Sequence, residues 1–173
     1  MNAVLIRHTR IKAPLGLCYG RSDVPLAATF PEEAAAVQAR LPWMPATVWT
    51  SPAKRCRLLA ERLGAGAVKV DSRLAELDFG LWEGRRWDEL HGSEVETWMR
   101  APWTARPPGG ETAGELLRRV DAFRKQLLML EAGRTAVVTH AGVIRAWRSL
   151  AERRSLESVF AEQIEYGAVY EAT

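Results

Sequence analysis

The chain has 173 residues, 47% of them hydrophobic, so one domain over residues 1–173 can bury roughly 70% of its unfolded surface without disulfides or metals. No apolar run approaches the roughly 20 residues that span a bilayer, and the start lacks the pattern of a signal peptide, so we expect a cytoplasmic protein without membrane association. The net charge of +3 and the preference for arginine over lysine favour anionic ligands, but the arginines form no basic run, which argues against nucleic acid.

Hydrophobic periodicity predicts strands and helices that alternate along the chain. Residues 2–7 contain a continuous apolar run from Ala3 to Ile6, which is typical of a central strand buried on both faces. The predicted strands are 2–7, 47–51, 67–70, 135–139 and 167–172. The predicted helices are 29–41, a helix that begins at Ser51-Pro52, a helix that begins at Thr112, and 143–151. Three helix starts carry capping signals: Thr29 with Glu32, Ser51 with Pro52, and Thr112 with Glu115.

An irregular segment and an amphipathic helix lie between the third and fourth strands. Residues 71–110 are rich in Gly, Pro and Trp, and they predict an irregular lid over a pocket. The helix that follows places one apolar stripe at spacings of three and four residues, which favours packing on a core. The members of the stripe are Leu116, Val120, Phe123, Leu127 and Leu130.

The alternation of strands and helices predicts an α/β three-layer sandwich with a mostly parallel central sheet flanked by helices. In such sheets ligands bind beyond the carboxyl ends of the strands, where loops meet helix N-termini. His8 follows the first predicted strand and His140 follows the fourth. If these two strands are neighbours, both imidazoles converge on one pocket at the rim of the sheet.

Two arginines indicate what this pocket binds. Arg7 precedes His8, and Arg55 lies in the first turn of the helix that begins at Ser51, where the helix dipole is also positive. Two histidines and an acid could hold a divalent metal, but guanidinium groups beside a metal ion are unfavourable. Two guanidinium groups, two imidazoles and a helix N-terminus suit a dianion, so we expect a phosphate site with no metal and no cofactor.

A carboxyl group would turn phosphate binding into catalysis. A carboxyl group near a bound dianion is pushed toward its protonated form, so it can donate a proton to a leaving oxygen. The stretch LAELDFGLWEG offers Glu76, Asp78 and Glu83. Spacing alone does not choose among these three acids.

Six short motifs, in this order and spacing, resemble the histidine phosphatase superfamily, the phosphoglycerate-mutase-like proteins. The motifs are LIRHTR, CYGRSDVPL, SPAKRC, ELDFGLWEG, PPGGET and VVTHAGVIR. The resemblance runs from residue 3 to about residue 146, nearly the whole chain. Within the superfamily the motifs are most similar to the α-ribazole phosphatase branch of cobalamin biosynthesis.

The resemblance implies roles for five residues. His8 would be the nucleophile that forms a phosphohistidine, and Glu76 would be the proton donor. Arg7, Arg55 and a protonated His140 would bind the phosphoryl group. The implied activity is the metal-independent hydrolysis of a small phosphomonoester, with α-ribazole 5′-phosphate as the expected substrate.

The chain departs from the pattern of the superfamily at two places. Thr9 replaces the common glycine after the histidine, although threonine is familiar at this place in the α-ribazole phosphatase branch. An asparagine that many members carry a few residues later is absent, and Pro14 or a neighbour stands there. The second departure leaves one phosphate hydrogen bond without its donor.

Other polar residues could complete the pocket or its loops. Arg21 and Ser22 lie in the loop after the first strand, and we expect them at the mouth of the pocket as substrate-binding residues. Asp78 and Glu83 are expected to bind backbone amides of the loop. His91 has no arginine or strand end beside it, so we expect it on the surface.

Four tryptophans cluster in the predicted lid: Trp82, Trp87, Trp98 and Trp103. Aromatic side chains most often pack in cores. A lid rich in tryptophan could also stack on a flat base, and Trp82 is the candidate that we expect to contact the benzimidazole of α-ribazole phosphate.

Three alternatives to an α-ribazole phosphatase remain open. A broad-specificity phosphatase or a phosphoglycerate mutase could use the same scaffold, although mutases of the superfamily are longer, so the compact chain favours a hydrolase. A phosphate-binding module without catalysis would lack the nucleophile or the acid, and here His8, His140 and Glu76 are all present. A metal-dependent hydrolase would need a chelatable ion for activity. The sequence does not predict the oligomeric state.

Overall fold

The computed structural model describes residues 2–130 and 133–172, so Met1 and Thr173, the ends of the predicted domain, lie outside it. Within these residues five strands form one sheet: β1 (Ala3–Arg7), β2 (Thr47–Thr50), β3 (Ala67–Val70), β4 (Thr135–Thr139) and β5 (Val169–Glu171). Their order across the sheet is β3-β2-β4-β1-β5. β5 is antiparallel to β1, and the other pairs are parallel. The predicted mostly parallel sheet is confirmed.

The strands β1 and β4 are direct neighbours, as the sequence analysis requires. Arg7 lies opposite Thr139 in the parallel register, and the backbone N–H of His8 donates to the carbonyl of Thr139 at 3.0 Å. Parallel neighbours end at the same edge of a sheet. His8 and His140 therefore leave the sheet side by side.

Six α-helices accompany the sheet in the described part of the chain: α1 (Phe30–Ala39), α2 (Lys54–Arg62), α3 (Ser93–Arg100), α4 (Ala113–Met129), α5 (Ala141–Ala151) and α6 (Leu156–Phe160). The sequence pattern misses α3 and α6 because both are short, and α3 buries no residue that would mark a periodic stripe. Among the described residues, no helix is both long and apolar enough to cross a bilayer.

Two hydrophobic cores, one on each face of the sheet, make the three predicted layers. Leu5 of β1 joins the core formed with α4 and α5, whereas Val4 and Ile6 join the core formed with α1 and α2. Successive side chains of a strand point to opposite faces, so a run that is apolar at every position fits only a sheet covered on both sides. The three-layer sandwich is confirmed.

The helix α4 has the predicted start and most of the predicted stripe. Thr112 Oγ1 accepts the backbone N–H of Glu115 at 3.2 Å, and the Glu115 carboxylate accepts the backbone N–H of Thr112 at 2.9 Å, which confirms the capping box. Four members of the stripe are buried: Leu116, Val120, Phe123 and Leu127. Leu130 is 53% exposed because the helix ends at Met129.

The predicted capping box of Thr29 with Glu32 is wrong. Thr29 is the N-cap residue of α1, but its side chain caps no backbone N–H. Its hydroxyl donates instead to Glu33 at 2.6 Å, and the same carboxylate accepts the backbone N–H of Arg10 at 2.9 Å. Glu33 thus ties α1 to the loop that follows β1.

The predicted start of α2 is also wrong. The helix begins at Lys54 with Ala53 as its N-cap residue, so Ser51 and Pro52 precede it. Ser51 Oγ accepts the backbone N–H of Ala53 at 3.2 Å, which turns the chain before the helix instead of capping it. Arg55 still lies in the first turn of α2.

The segment 71–110 has few regular elements, as its composition predicts. It contains three 3₁₀ turns and α3. Cys18 and Trp82 are buried in a small apolar cluster, with Trp87 and Trp98 packed against it. The rings of Trp87 and Trp98 are stacked, with centroids 5.4 Å apart and an interplanar angle of 17°. Aromatic packing inside the lid therefore shapes this segment.

Candidate active site

The edge of the sheet brings the two predicted histidines into contact. The ring centroids of His8 and His140 lie 5.2 Å apart, with an interplanar angle of 67°. Each side chain is almost fully buried, at 1% exposure. The predicted convergence of the two imidazoles is thus observed.

Among the described residues, the hydrogen bonds of His8 leave one ring nitrogen free. Nδ1 lies 2.8 Å from the carbonyl of Thr9, and because a carbonyl only accepts, Nδ1 carries the hydrogen. Nε2 therefore keeps an unshared electron pair. Burial lowers the pKa of His8 to about 3, and the charges of Arg55 and Arg7 add to this effect. His8 is thus a neutral imidazole at neutral pH.

Arg55 is held by backbone carbonyls of the loop after β1. Its Nη1 donates to Ser22 at 2.8 Å, and its Nη2 donates to Gly20 at 2.6 Å. Nη2 also lies 3.4 Å from Nδ1 of His140. At 1% exposure, Arg55 is a buried cation directly beside the two histidines.

Two tyrosines that the sequence analysis missed lie beside the arginines of the site: Tyr166 contacts Arg7, and Tyr19 contacts Arg55. The guanidinium carbon of Arg7 lies 3.7 Å from the centre of the Tyr166 ring, and Nη1 donates to the carbonyl of Ile164. The hydroxyls of Tyr166 and Tyr19 are 2.8 Å apart. Lone tyrosines at the two ends of the chain carry no sequence signal, because only the fold brings them together.

Three buried polar atoms around His8 have no hydrogen-bond partner within residues 2–130 and 133–172: Nε of Arg7, Oγ1 of Thr9 and Nε of Arg55. Buried polar groups of native proteins almost always have partners, so each exception requires an explanation. Arg7 and Thr9 flank His8 in the sequence, and Arg55 is the neighbouring cation. An anion beside His8 would accept hydrogen bonds from these three groups.

His140 is also neutral in the protein without a ligand. Its Nε2 lies 2.7 Å from Oγ of Ser51 and 3.5 Å from Sγ of Cys56. Burial and the nearby His8 and Arg55 lower the pKa of His140 well below its ordinary value. The protonated His140 that the resemblance implies belongs to the complex with a phosphoryl group, and it stays a prediction.

Glu76 is held at the N-terminal turn of α5. Its carboxylate accepts the backbone N–H of Gly142 at 3.1 Å and that of Leu77 at 2.9 Å. A Cβ atom at residue 142 would lie 2.2 Å from Oε1 of Glu76, so only glycine leaves room for the acid. The start of α5 thus places Glu76 beside His140.

The other two candidate acids organise loops, as expected. Glu83 accepts the backbone N–H groups of Arg21 and Ser22 at 2.9 and 2.7 Å. Asp78 accepts the backbone N–H of Gly80 at 2.8 Å. Among the three acids of this stretch, geometry now favours Glu76.

A cleft of about 320 Å³ opens beside Glu76 and His140. Ser51 and three guanidinium groups, those of Arg21, Arg73 and Arg119, contribute to its lining. In the described part of the chain, no three His, Cys, Asp or Glu side chains are grouped so that they could hold a metal ion. The cleft thus adjoins the buried His140, and the three arginines of its lining are each paired with a carboxylate.

The family model of the histidine phosphatase superfamily (branch 1) matches residues 3–173. The chain belongs to this superfamily. Its members are phosphatases or mutases that act on small phosphorylated substrates. The resemblance inferred from the six sequence motifs is thus confirmed.

Solved structures of this superfamily share the fold. The α-ribazole phosphatase of Shigella flexneri is 25% identical, with a TM-score of 0.88, and the alignment covers 98% of this chain and 88% of that chain. The protein TTHB049 of Thermus thermophilus is 29% identical, with a TM-score of 0.72, and the alignment covers 98% of this chain and 91% of that chain.

Curated relatives are longer than this chain. One is named "Probable phosphoglycerate mutase GpmB", from Salmonella paratyphi C, and is 35% identical over 130 residues, which are 70% of this chain and 60% of the relative. The bifunctional protein Rv2228c of Mycobacterium tuberculosis is 35% identical over 113 residues, which are 61% of this chain and 31% of the relative. The chain thus spans less than two thirds of each.

In this superfamily member the remaining predicted residues lie in different places. Arg21 lines the cleft, with its guanidinium 3.4 Å from Asp78. Ser22 donates its N–H and hydroxyl to Glu83, and its carbonyl holds Arg55, so its polar groups serve the loop. His91 is exposed, as expected.

Trp82 does not reach the cleft. It is only 3% exposed and packs inside the lid, with its ring centroid 5.7 Å from that of Trp98. The expected stacking of Trp82 on a substrate base therefore has no exposed ring face to support it. The indole is used instead for packing, in the small cluster with Cys18 and Leu90.

Proposed function

We propose that this chain is a phosphomonoesterase that works through a phosphohistidine on His8 and needs no metal. The observation that carries the proposal is the surroundings of His8. A neutral imidazole with a free Nε2 lies among buried donors of Arg7, Thr9 and Arg55 that have no partner in the described residues. A phosphoryl group would satisfy the donors and present its phosphorus to the nitrogen.

The first half of the proposed reaction forms the phosphoenzyme. Nε2 of His8 attacks phosphorus in line with the leaving oxygen, and the bond between phosphorus and that oxygen breaks as the P–N bond forms. Glu76, protonated at this stage, donates its proton to the departing alkoxide. The backbone N–H groups of Leu77 and Gly142 keep its carboxyl group at the edge of the cleft.

The second half releases phosphate. The Glu76 carboxylate accepts a proton from water, the water oxygen attacks phosphorus, and the P–N bond breaks. Arg7 and Arg55 stabilise the negative charge on the phosphoryl oxygens in both halves. His140 adds a third donor: a bound dianion raises the pKa of a nearby imidazole, so we expect His140 to take up a proton with the substrate.

The proposed substrate is α-ribazole 5′-phosphate, which would place the chain in cobalamin biosynthesis. The similarity to the Shigella flexneri α-ribazole phosphatase over 98% of this chain supports it. Since Trp82 is buried, the base would lie against the guanidinium groups of the cleft, and Arg21 is the substrate-binding candidate among them. Planar guanidinium groups stack on aromatic rings.

A phosphoglycerate mutase is the second candidate, favoured by the 35% identity to the GpmB relative. A screen of ribazole phosphate, nucleotides, sugar phosphates and phosphoglycerates, with and without EDTA, tests both. We expect free phosphate, fastest from ribazole phosphate, at rates that EDTA does not change. An isomerised phosphoglycerate as main product would favour the mutase, and loss of activity in EDTA would exclude the metal-independent mechanism.

Trapping the intermediate tests the chemistry itself. After brief incubation with a substrate labelled in its phosphoryl group and an alkaline quench, we expect an acid-labile label on the peptide that contains His8. The variant His8→Asn should carry no label, and the variant of the exposed His91→Gln should carry as much as the native protein. A label elsewhere, or none with turnover intact, would reject the phosphohistidine.

A further inference from the structure

Ser51 lies against His140 and has no part in the proposed chemistry so far. It is fully buried between β2 and α2, and it contributes to the lining of the cleft. Its Oγ is 2.7 Å from Nε2 of His140 and 3.2 Å from the backbone nitrogen of Ala53. A buried hydroxyl that contacts a buried imidazole constrains where the hydrogen of that ring lies.

The partners of His140 indicate which ring nitrogen carries this hydrogen. Nη2 of Arg55 lies 3.4 Å from Nδ1, and a guanidinium group can only donate. Nδ1 is therefore the acceptor, so Nε2 carries the hydrogen and donates it to Ser51. The oxygen of Ser51 then accepts two hydrogens, one from His140 and one from the backbone of Ala53.

The hydroxyl hydrogen of Ser51 remains available. A serine hydroxyl has one donor and two acceptor positions, and both acceptor positions are occupied. Within residues 2–130 and 133–172, this hydroxyl has no other oxygen or nitrogen partner at hydrogen-bonding distance, and its one further hydrogen-bond partner is the sulfur of Cys56, a weak acceptor that a phosphoryl oxygen would replace. Because Ser51 lines the cleft, a phosphoryl oxygen there could accept the hydrogen.

We infer that Ser51 links His140 to the phosphoryl group: its oxygen accepts Nε2–H of His140, and its hydrogen is donated to a phosphoryl oxygen. The inference rests on the proposed phosphatase function. It gives the chain a donor in place of the asparagine that it lacks after His8. The oxygen of Ser51 also stabilises the imidazolium that forms when a dianion binds, because a charged N–H group gains more from an acceptor than a neutral N–H group does.

The groups that face His140 make this stabilisation important. Three of them are arginines, which oppose a charge on the ring until an anion arrives, and His8 has the same effect. Burial, the largest cause, acts in the same direction on the pKa of His140. The surrounding charged and titratable groups are Arg55 and Cys56 of α2, Arg7 and His8 at the end of β1, Arg119 of α4, and Glu76 beside the cleft.

The native protein alone provides the first test. In ¹⁵N NMR spectra of the imidazole rings, the His140 signals are assigned by their loss in His140→Gln. We expect Nδ1 without hydrogen and Nε2 with hydrogen in the unliganded protein. The opposite tautomer would overturn the inference, because Ser51 would then donate to the ring and have no hydrogen left for a phosphoryl oxygen.

The second test measures sulfate binding by calorimetry over a range of pH, since sulfate is a tetrahedral dianion whose charge stays constant there. Ser51→Ala should weaken sulfate binding about tenfold or more at neutral pH. It should also lower, by about one pH unit, the pH above which affinity declines, because the imidazolium loses its acceptor. Ser51→Thr keeps the hydroxyl and should restore the native profile.

Ser149 provides a matched control for loss of a buried hydroxyl. It lies on α5, where its Oγ donates to the carbonyl of Arg154 at 2.7 Å, so Ser149→Ala should leave sulfate binding unchanged. If Ser51→Ala behaves like this control while Thr9→Val loses binding, the missing donor is Thr9 and the inference is wrong. If sulfate binding follows the expected profiles but no phosphohistidine can be trapped, the proposed mechanism is rejected and the role of Ser51 in binding the anion remains.

Discussion

The two histidines at the ends of β1 and β4 occupy matching places on neighbouring strands, yet their surroundings differ. His8 donates from Nδ1 to the carbonyl of Thr9, so its Nε2 is free. His140 is contacted at both ring nitrogens, by Ser51 and by Arg55. Strand position thus brings an imidazole to the rim of the sheet, whereas its hydrogen-bond partners decide whether it can attack phosphorus.

The largest expected effect separates the two histidines directly. His8→Asn removes the proposed nucleophile and should lower kcat by about 10⁴–10⁶-fold, as loss of a covalent catalyst does in other enzymes. His140→Asn removes one stabilising donor and should cost about 10²–10³-fold. Steady-state rates on one phosphomonoester measure both. Equal losses, or a phosphohistidine that survives in His8→Asn, would contradict the division of roles.

The second largest loss of activity is expected at Glu76, the acid that lies beside the end of β4. Glu76→Gln keeps the size of the side chain but cannot transfer a proton, so we expect a loss of about 10²–10⁴-fold with an alkyl phosphate. With p-nitrophenyl phosphate, whose leaving group needs no proton, the decrease in the rate of the phosphorylation step should be much smaller. Asp78→Asn is the control, since Asp78 binds the backbone of Gly80. A loss independent of the leaving group would exclude Glu76 as the acid.

A smaller effect is expected from the glycine that makes room for this acid. Gly142→Ala places a Cβ atom 2.2 Å from Oε1 of Glu76, so it should displace the carboxyl group and reduce kcat, while the free energy of unfolding changes little because the carboxyl end of Glu76 can swing aside. The second residue of α4 offers the comparison. At Gly114 a Cβ atom would meet nothing nearer than 3.6 Å, so Gly114→Ala should preserve both properties. Chemical denaturation and rate measurements decide.

The last expected effect concerns stability in acid and leaves activity at neutral pH aside. The pKa of His8 is about 3 because the ring is buried, against 6.5 for an ordinary histidine. Between these values the unfolded chain binds a proton that folded His8 does not, so the free energy of unfolding falls as the pH is lowered, by up to about 1.4 kcal/mol per pH unit.

Two histidine variants isolate this contribution. His8→Gln should flatten the dependence of the free energy of unfolding on pH, as measured by urea denaturation at several pH values. His91→Gln removes an exposed ring and should keep the native slope. If both variants behave alike, His8 accepts protons as readily in the folded chain as in the unfolded one.

Much of the fold could be predicted because the apolar pattern is regular. The continuous apolar run before His8 indicated a strand buried on both faces, and the structure covers β1 with helices on both sides. Helix starts were less predictable. Ser51 resembles an N-cap by sequence, but its hydroxyl contacts His140, 89 residues away. A distant partner can outcompete the local pattern that a sequence window shows.

The sequence by itself determined the alternating elements, the strand ends that carry His8 and His140, and the cations beside them. Only the tertiary structure decided which tyrosine covers Arg7, which acid lies beside His140, and that Trp82 is buried in a cluster with Cys18. The physical reason is how far apart in the sequence the interacting residues lie. Strand and helix patterns arise from neighbours along the chain, whereas a site at the rim of a sheet is assembled from loops whose contacts exist only after the strands have paired.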